Sequence, residues 1–296
     1  MKKVFFAFLL VFTIAFTANA FASEATFTAK SYTVSESEHI NYWLFTPQNA
    51  PEKMPLIVYL HGGSGKGDNI NTLTENGFCK WVAEGIFDST AAYIVFPQLS
   101  SNYNGWAGNK TNIRNFIVNL TNKYSIDKEN ISLVGHSMGG TGAFSLATAY
   151  PSLFSCVMPM SGSATNNEKT LTALSALPVW AIVGENDTIV SPTSSIEIVN
   201  ALQEKGADAK ITVIEDATHF TVPELAFLDD ELDVVGWLIR GGKDEEQQET
   251  EVTVADVLDC ICSYLNRTND LKYDANNDGL VNLLDAIILL KQVVKE

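Results

Sequence analysis

Gly135-His136-Ser137-Met138-Gly139-Gly140, with Thr141 behind it, follows the apolar run Ile131-Ser132-Leu133-Val134 and precedes Thr141-Gly142-Ala143-Phe144-Ser145-Leu146-Ala147. The run reads as a buried strand and the segment after it as a helix. Strand, tight G-x-S-x-G turn and helix together are the context of a nucleophile elbow. Such a turn holds Ser137 in a strained backbone conformation with its hydroxyl exposed. Glycines flank it because side chains there would collide with neighbouring elements.

Outward from this turn, apolar strands alternate with helices. Pro55-Leu56-Ile57-Val58-Tyr59-Leu60 ends in His61-Gly62-Gly63, and Ala92-Tyr93-Ile94-Val95-Phe96 ends in Pro97-Gln98. Strands are also predicted at 156–160, 179–183 and 210–214. Helices are predicted at 113–124, 141–150 and 194–205. Residues 28–34 and 40–45 alternate about the polar Ser35-Glu36-Ser37-Glu38, which predicts a hairpin. The pattern is that of an α/β protein with a mostly parallel sheet covered by helices. Functional residues then collect at the C-terminal ends of its strands.

The chain of 296 residues allows one large α/β domain plus a small module, and 46% hydrophobic residues suffice for a core. Lys2-Lys3, a short apolar run and Ala20-Phe21-Ala22 predict a signal peptide over 1–22, with cleavage after Ala20 as the alternative. The expected location is therefore secreted, with no membrane span after removal. A net charge of −16 argues against nucleic acid or anionic lipid as partners. Gly241-Gly242 and an acidic stretch mark a boundary. The catalytic domain is expected over 23–240, an acidic linker or degenerate first loop over 241–250 and a second module over 251–296. Cys79, Cys156, Cys260 and Cys262 form no disulfide framework for a domain this large. An even count in an exported chain leaves a Cys79–Cys156 bridge open. Cys260 and Cys262, two apart on a predicted helix, point in different directions.

A serine hydroxyl needs a base to take its proton and an acid to orient that base. Of the four histidines, His39 falls at the predicted hairpin turn, and His61 and His136 sit in strand-end turns. His219 follows the last core strand and is the candidate base. The acid is expected after the strand 179–183, in Gly184-Glu185-Asn186-Asp187, with Asp187 preferred over Glu185 and Asp216. The order Ser137, Asp187, His219 is that of an α/β-hydrolase. An oxyanion needs backbone donors. The N–H groups of Met138 and Gly63 are the candidates, with Ser64 as the alternative to Gly63.

With these motifs in place, residues 24–240 resemble an α/β-hydrolase of the esterase, lipase and polyhydroxybutyrate-depolymerase type. They are most similar to secreted feruloyl and acetylxylan esterases and to predicted peptidases. The resemblance is carried by Tyr59-Leu60-His61-Gly62-Gly63, Phe96-Pro97-Gln98 with Gly105-Trp106, the Ser137 turn, Gly184-Glu185-Asn186-Asp187 and Thr218-His219. It implies that Gln98 and Trp106 lie beside the nucleophile and line a substrate pocket; for Trp106, core packing is the other reading.

Beyond 240, Asp274, Asn276, Asp278, Asn282 and Asp285 place oxygen side chains at positions 1, 3, 5, 9 and 12 of a loop, with Gly279 at position 6. Leu280 at position 7 offers its carbonyl. This is the arrangement of an EF-hand-like calcium loop. A shift of 29 residues aligns Val252–Asp256 with Val281–Asp285. Two loop-helix units in tandem resemble a type I dockerin over about 245–296, which implies a cohesin scaffold as partner. The first loop departs from the pattern, with Thr250 where glycine is expected.

The expected protein is a secreted serine esterase acting on feruloyl or acetyl esters of plant cell-wall xylan, with structural calcium and no catalytic cofactor. A serine peptidase or general carboxylesterase of the same fold uses the same residues. A scaffold-bound binding protein with a vestigial site is the non-enzymatic alternative.

Overall fold

The computed structural model describes residues 24–48, 53–229, 231–244, 254–266, 271–273, 275 and 280–293. The predicted signal peptide, most of 241–250 and the loop residues Asp274, Asn276 and Asp278 lie outside them. The chain divides into two compact units, 1–243 and 244–296.

The first unit is built on an eight-stranded sheet: β1 (Thr26–Ser35), β2 (Glu38–Thr46), β3 (Met54–Leu60), β4 (Tyr93–Pro97), β5 (Ile126–His136), β6 (Cys156–Met160), β7 (Val179–Gly184) and β8 (Ala209–Ile214). Their spatial order is β1-β2-β4-β3-β5-β6-β7-β8. The β1–β2 hairpin is antiparallel and joins β4 antiparallel; from β4 onward every pair is parallel. His39 lies within β2, opposite Thr33, rather than in the turn.

Among the described residues, seven helices cover this sheet: α1 (Gly77–Ala83), α2 (Trp106–Lys123), α3 (Met138–Ala149), α4 (Glu168–Leu174), α5 (Pro192–Glu204), α6 (Val222–Phe227) and α7 (Val234–Ile239). The strand period of two sorts the core into two layers. Leu56, Val58 and Leu60 of β3 join Phe116 of α2, Phe144 of α3 and Ile198 of α5. Ile57 and Tyr59 join Phe78 of α1, Phe227 of α6 and Trp237 of α7. Cys79 and Cys156 are both buried free thiols, so no bridge joins them. The Cys156 Sγ–H donates to Ser132 Oγ.

The second unit contains α8 (Val254–Asn266) and α9 (Leu283–Val293), with Cys260, Tyr273, Val281 and Ala286 forming its small core. Cys260 is buried and Cys262 exposed, on different sides of α8. Among the described residues, no helix is long and apolar enough to cross a membrane.

Candidate active site

Three parallel strands deliver three side chains to one edge of the sheet. Ser137 follows β5, Asp187 follows β7 and His219 follows β8. Ser137 has φ 59° and ψ −119°, a conformation rarely adopted by a side-chain-bearing residue. The sequence tolerates this turn because the elements around it approach very closely. A Cβ on Gly139 would lie 1.8 Å from the Leu60 carbonyl oxygen, and one on Gly135 would lie 2.4 Å from that of Gly139.

The Ser137 hydroxyl is 2.8 Å from His219 Nε2. His219 Nδ1–H donates to Asp187 Oδ2, also at 2.8 Å. Asp187 Oδ1 accepts from the N–H groups of Ile189 and Val190, both at 2.9 Å. Burial raises the Asp187 carboxyl. The Val190 N–H, the His219 ring, the Ile189 N–H and the Ser161 hydroxyl more than offset this and hold it below the usual carboxylate range. Ser161 is buried and has φ 43°, and its hydroxyl makes no hydrogen bond of standard geometry among the described residues, so it favours the carboxylate by proximity alone. Neither rival acid takes this place: Glu185 Oε2 accepts from the Asp216 N–H, and Asp216 Oδ1 from Asn186 Nδ2.

Met138 is the first residue of α3, and Gly63 opens a short 3-10 helix over Gly63–Gly65. First-turn N–H groups have no acceptor within their own helix, so both are free to bind an oxyanion. Gly63 and Ser64 line the same cleft as Ser137. The loop beneath them is held from behind. His61 Nδ1–H donates to the Gly62 carbonyl at 2.6 Å, and His61 Nε2 accepts from the Leu99 N–H at 3.0 Å. Burial pushes the His61 imidazole down to about 4, so it stays neutral.

Gln98 and Trp106 do not line the cleft. Both are buried, and both brace the loop. The Gln98 amide donates to the carbonyls of Gly65 and Asn69 and to Thr72 Oγ1. The Trp106 indole N–H donates to the His61 carbonyl at 3.1 Å. These two residues thus satisfy carbonyls on the far side of the loop that carries the Gly63 N–H.

The cleft measures about 670 Å³. Tyr59, Leu73, Cys79 and Phe96 give it an apolar interior. Ile189 and Phe220 stand at its rim, 63% and 76% exposed. Sequence reading missed these linings, although Phe220 adjoins His219 in the chain. It also missed what His136 does: its Nε2–H donates to the His219 carbonyl at 2.8 Å, with the two rings 4.8 Å apart.

In the second unit, Asp285 is fully buried. Its Oδ1 accepts from the Ala275 N–H at 3.0 Å and its Oδ2 from the Asn282 N–H at 2.8 Å. Asn282 Oδ1 in turn accepts from the Leu284 N–H.

Sheet order and strand-end placement define an α/β-hydrolase. Residues 40–234 match the dienelactone hydrolase family, and the chain belongs to that family. The match ends before the second unit. A carboxypeptidase Y homolog of Arthroderma benhamiae is 40% identical over 42 residues, which is 14% of this chain and 7% of that protein. Among solved structures, a thermostable esterase superposes with a TM-score of 0.62 at 24% identity, over 72% of this chain and 62% of that one. A feruloyl esterase module from Clostridium thermocellum complexed with sinapinate gives 0.57 at 16% identity, over 71% and 87%. The acylaminoacyl peptidase of Pyrococcus horikoshii gives 0.58 at 16% identity, over 77% and 44%. At these identities the shared property is the fold.

Proposed function

We propose that the protein is a secreted serine esterase that forms an acyl-enzyme on Ser137. The observation that carries this reading is the chain of two 2.8 Å contacts from Ser137 Oγ through His219 to Asp187. His219 Nε2 takes the hydroxyl proton as Ser137 Oγ attacks the ester carbonyl. The N–H groups of Met138 and Gly63 receive the oxyanion. The alcohol leaves with the proton from His219. Water then loses a proton to His219 and attacks the acyl carbon, and the proton returns to Ser137 Oγ as the acid departs. Asp187 holds the imidazole in its Nδ1–H form and stabilises its charged state.

The substrate class in this reading is a feruloyl or acetyl ester on plant cell-wall xylan. Its support is the apolar cleft interior, the exposed Phe220 at the rim and the feruloyl esterase module among the structural relatives. The second unit is read as a dockerin-like module with calcium on Asp274, Asn276, Asp278, the Leu280 carbonyl, Asn282 and Asp285. The donor set is all oxygen, as calcium requires, and buried Asp285 ties the loop to α9. Calcium here is structural and takes no part in ester cleavage. Calorimetric titration with calcium should show one ion per chain, and no heat of binding would remove the ion from the reading.

The deciding experiment incubates the protein with feruloylated, acetylated arabinoxylan beside a Ser137→Ala control. Release of ferulate or acetate should fall on the order of 10⁴-fold or more in the variant. Cleavage of a small aryl ester without release of either would discard the cell-wall substrate. Cleavage of a peptide amide at a comparable rate would instead favour a peptidase.

A further inference from the structure

We propose that His136 is the positioning residue for His219: its Nε2–H, bonded to the His219 carbonyl, holds the base in place while Ser137 carries the acyl group. This role presupposes the serine-esterase reading and follows from how the histidine loop is held. Residues 215–221 join β8 to α6. Their backbone is tied to the acid turn: the Asn186 N–H donates to the Ala217 carbonyl at 2.9 Å, and the Asp216 N–H to Glu185 Oε2 at 3.2 Å. Those bonds fix base against acid and say nothing about the nucleophile.

Two hydrogen bonds among the described residues join the histidine to the serine turn. One is the Ser137 Oγ–His219 Nε2 contact itself, and the other is the His136–His219 carbonyl bond. Acylation removes the first, because Oγ then carries the acyl carbon and has no proton to donate. Deacylation still needs His219 within reach of the attacking water, and displacement of about 1 Å can cost 10²-fold. The second bond does not involve the reacting atoms and persists through the cycle. It comes from the residue next to Ser137, so it holds the base relative to the atom that matters. The other side of the His136 ring is occupied as well: a Cβ on Gly62 would lie 3.7 Å from His136 Nδ1. The ring thus sits between the oxyanion loop and the histidine loop and lines the cleft.

His136 is suited to stand beside a base that becomes charged. Burial and the facing His219 hold its imidazole down near 4, against smaller upward pulls from its own bond to the His219 carbonyl and from Asp187. It is neutral at pH 7, so the imidazolium formed at His219 meets no second cation. A carbonyl acceptor requires hydrogen on Nε2, which leaves Nδ1 unprotonated.

The test is pre-steady-state hydrolysis of p-nitrophenyl acetate by wild type, His136→Phe and His136→Gln. In acyl-enzyme kinetics, slower deacylation lowers kcat and KM together and leaves kcat/KM unchanged. His136→Phe should lower kcat and KM each about 10- to 100-fold, hold kcat/KM within about threefold and show a burst of one p-nitrophenol per site. His136→Gln, whose amide offers N–H at a similar reach, should recover most of kcat. Wild-type kinetics in His136→Phe, or equal loss of kcat and kcat/KM without a burst, would overturn the proposal. Equal damage in both variants would overturn it too. Should both fail to fold, ¹⁵N spectra of the wild-type imidazoles decide, since a chain with four histidines is assignable. Protonated Nε2 and bare Nδ1 at His136 support the role, and the opposite tautomer refutes it. Inactivity of wild type toward every ester would end the esterase reading, whereas the tautomer is read independently of activity.

Discussion

Asp187 divides its two oxygens between two tasks. Oδ1 accepts from the N–H groups of Ile189 and Val190 and fixes the carboxylate to its own loop, while Oδ2 faces the base. An Asp187→Asn amide can keep its carbonyl oxygen on the two N–H groups. Its NH₂ then faces His219, which must turn its bare nitrogen to that side and present Nδ1 as acceptor. The resulting tautomer places hydrogen on Nε2 and cannot take a proton from Ser137. We expect kcat for a small aryl ester to fall about 10⁴-fold with the Tm within a few degrees of wild type. Loss below tenfold would show that the acid lies elsewhere. The three side chains that the structure brings together are legible in the chain because each has a local mark. Ser137 has its glycines, Asp187 follows an apolar strand, and His219 is the histidine beyond the last core strand. Ser161 and His136 carry no such mark. Their roles depend on which carboxylate or carbonyl of a distant loop comes to rest against them, and no spacing along the chain encodes that.

The serine turn works as a joint between β5 and α3, and its glycines let backbones touch. A Cβ at Gly139 would meet the carbonyl oxygen of Leu60 at 1.8 Å, and that carbonyl belongs to a central strand with no freedom to withdraw. A Cβ at Gly63 meets nothing within 4 Å. Gly139→Ala should therefore cost at least about 3 kcal/mol and lower the Tm by about 6–12 °C, whereas Gly63→Ala should leave it within about 1 °C. Equal thermal shifts in a side-by-side melt would disprove the close approach. Element boundaries show where local sequence stops being informative. α3 begins at Met138, three residues before the predicted start, because Gly139 and Gly140 are poor helix formers that tertiary contact overrides. α2 begins at Trp106 rather than 113 for a related reason. Its first turns hold Gly108 and Asn109, and buried Trp106 packs edge-on against His61 at 4.9 Å. That packing makes a residue expected at the pocket into a brace behind the His61 loop instead. The apolar strands were readable because burial on both faces leaves one continuous signature.

At the scale of the molecule, the first unit encloses two imidazoles that burial keeps neutral. His61 lies under the loop that carries Gly62 and Gly63 and His136 under the histidine loop, and both are pushed down to about 4 from an ordinary value of 6.5. In the unfolded chain both take up protons as the pH falls through 6.5. In the folded protein neither does so until about 4. Between those limits the unfolded state binds more protons, so stability falls with falling pH. Asp187 acts in the same direction at lower pH. Its folded value is depressed, so the stability it contributes is present above the ordinary carboxylate range and is lost as pH falls through that depressed value. The two histidines thus lower stability first, under mildly acidic conditions, and Asp187 follows in stronger acid. The Tm of the first unit should be level from pH 8 to 7 and decline progressively from 6.5 to 4. Replacing one of the two imidazoles by a group that does not titrate removes one of the two contributions. A His136→Gln protein that folds should therefore show a shallower decline over the same window, with its Tm at pH 7.5 as the reference. Scanning calorimetry at half-unit steps measures both curves. A wild-type Tm that stays level down to pH 4.5, or a His136→Gln slope equal to that of wild type, would mean that the imidazole is not buried neutral between the two loops.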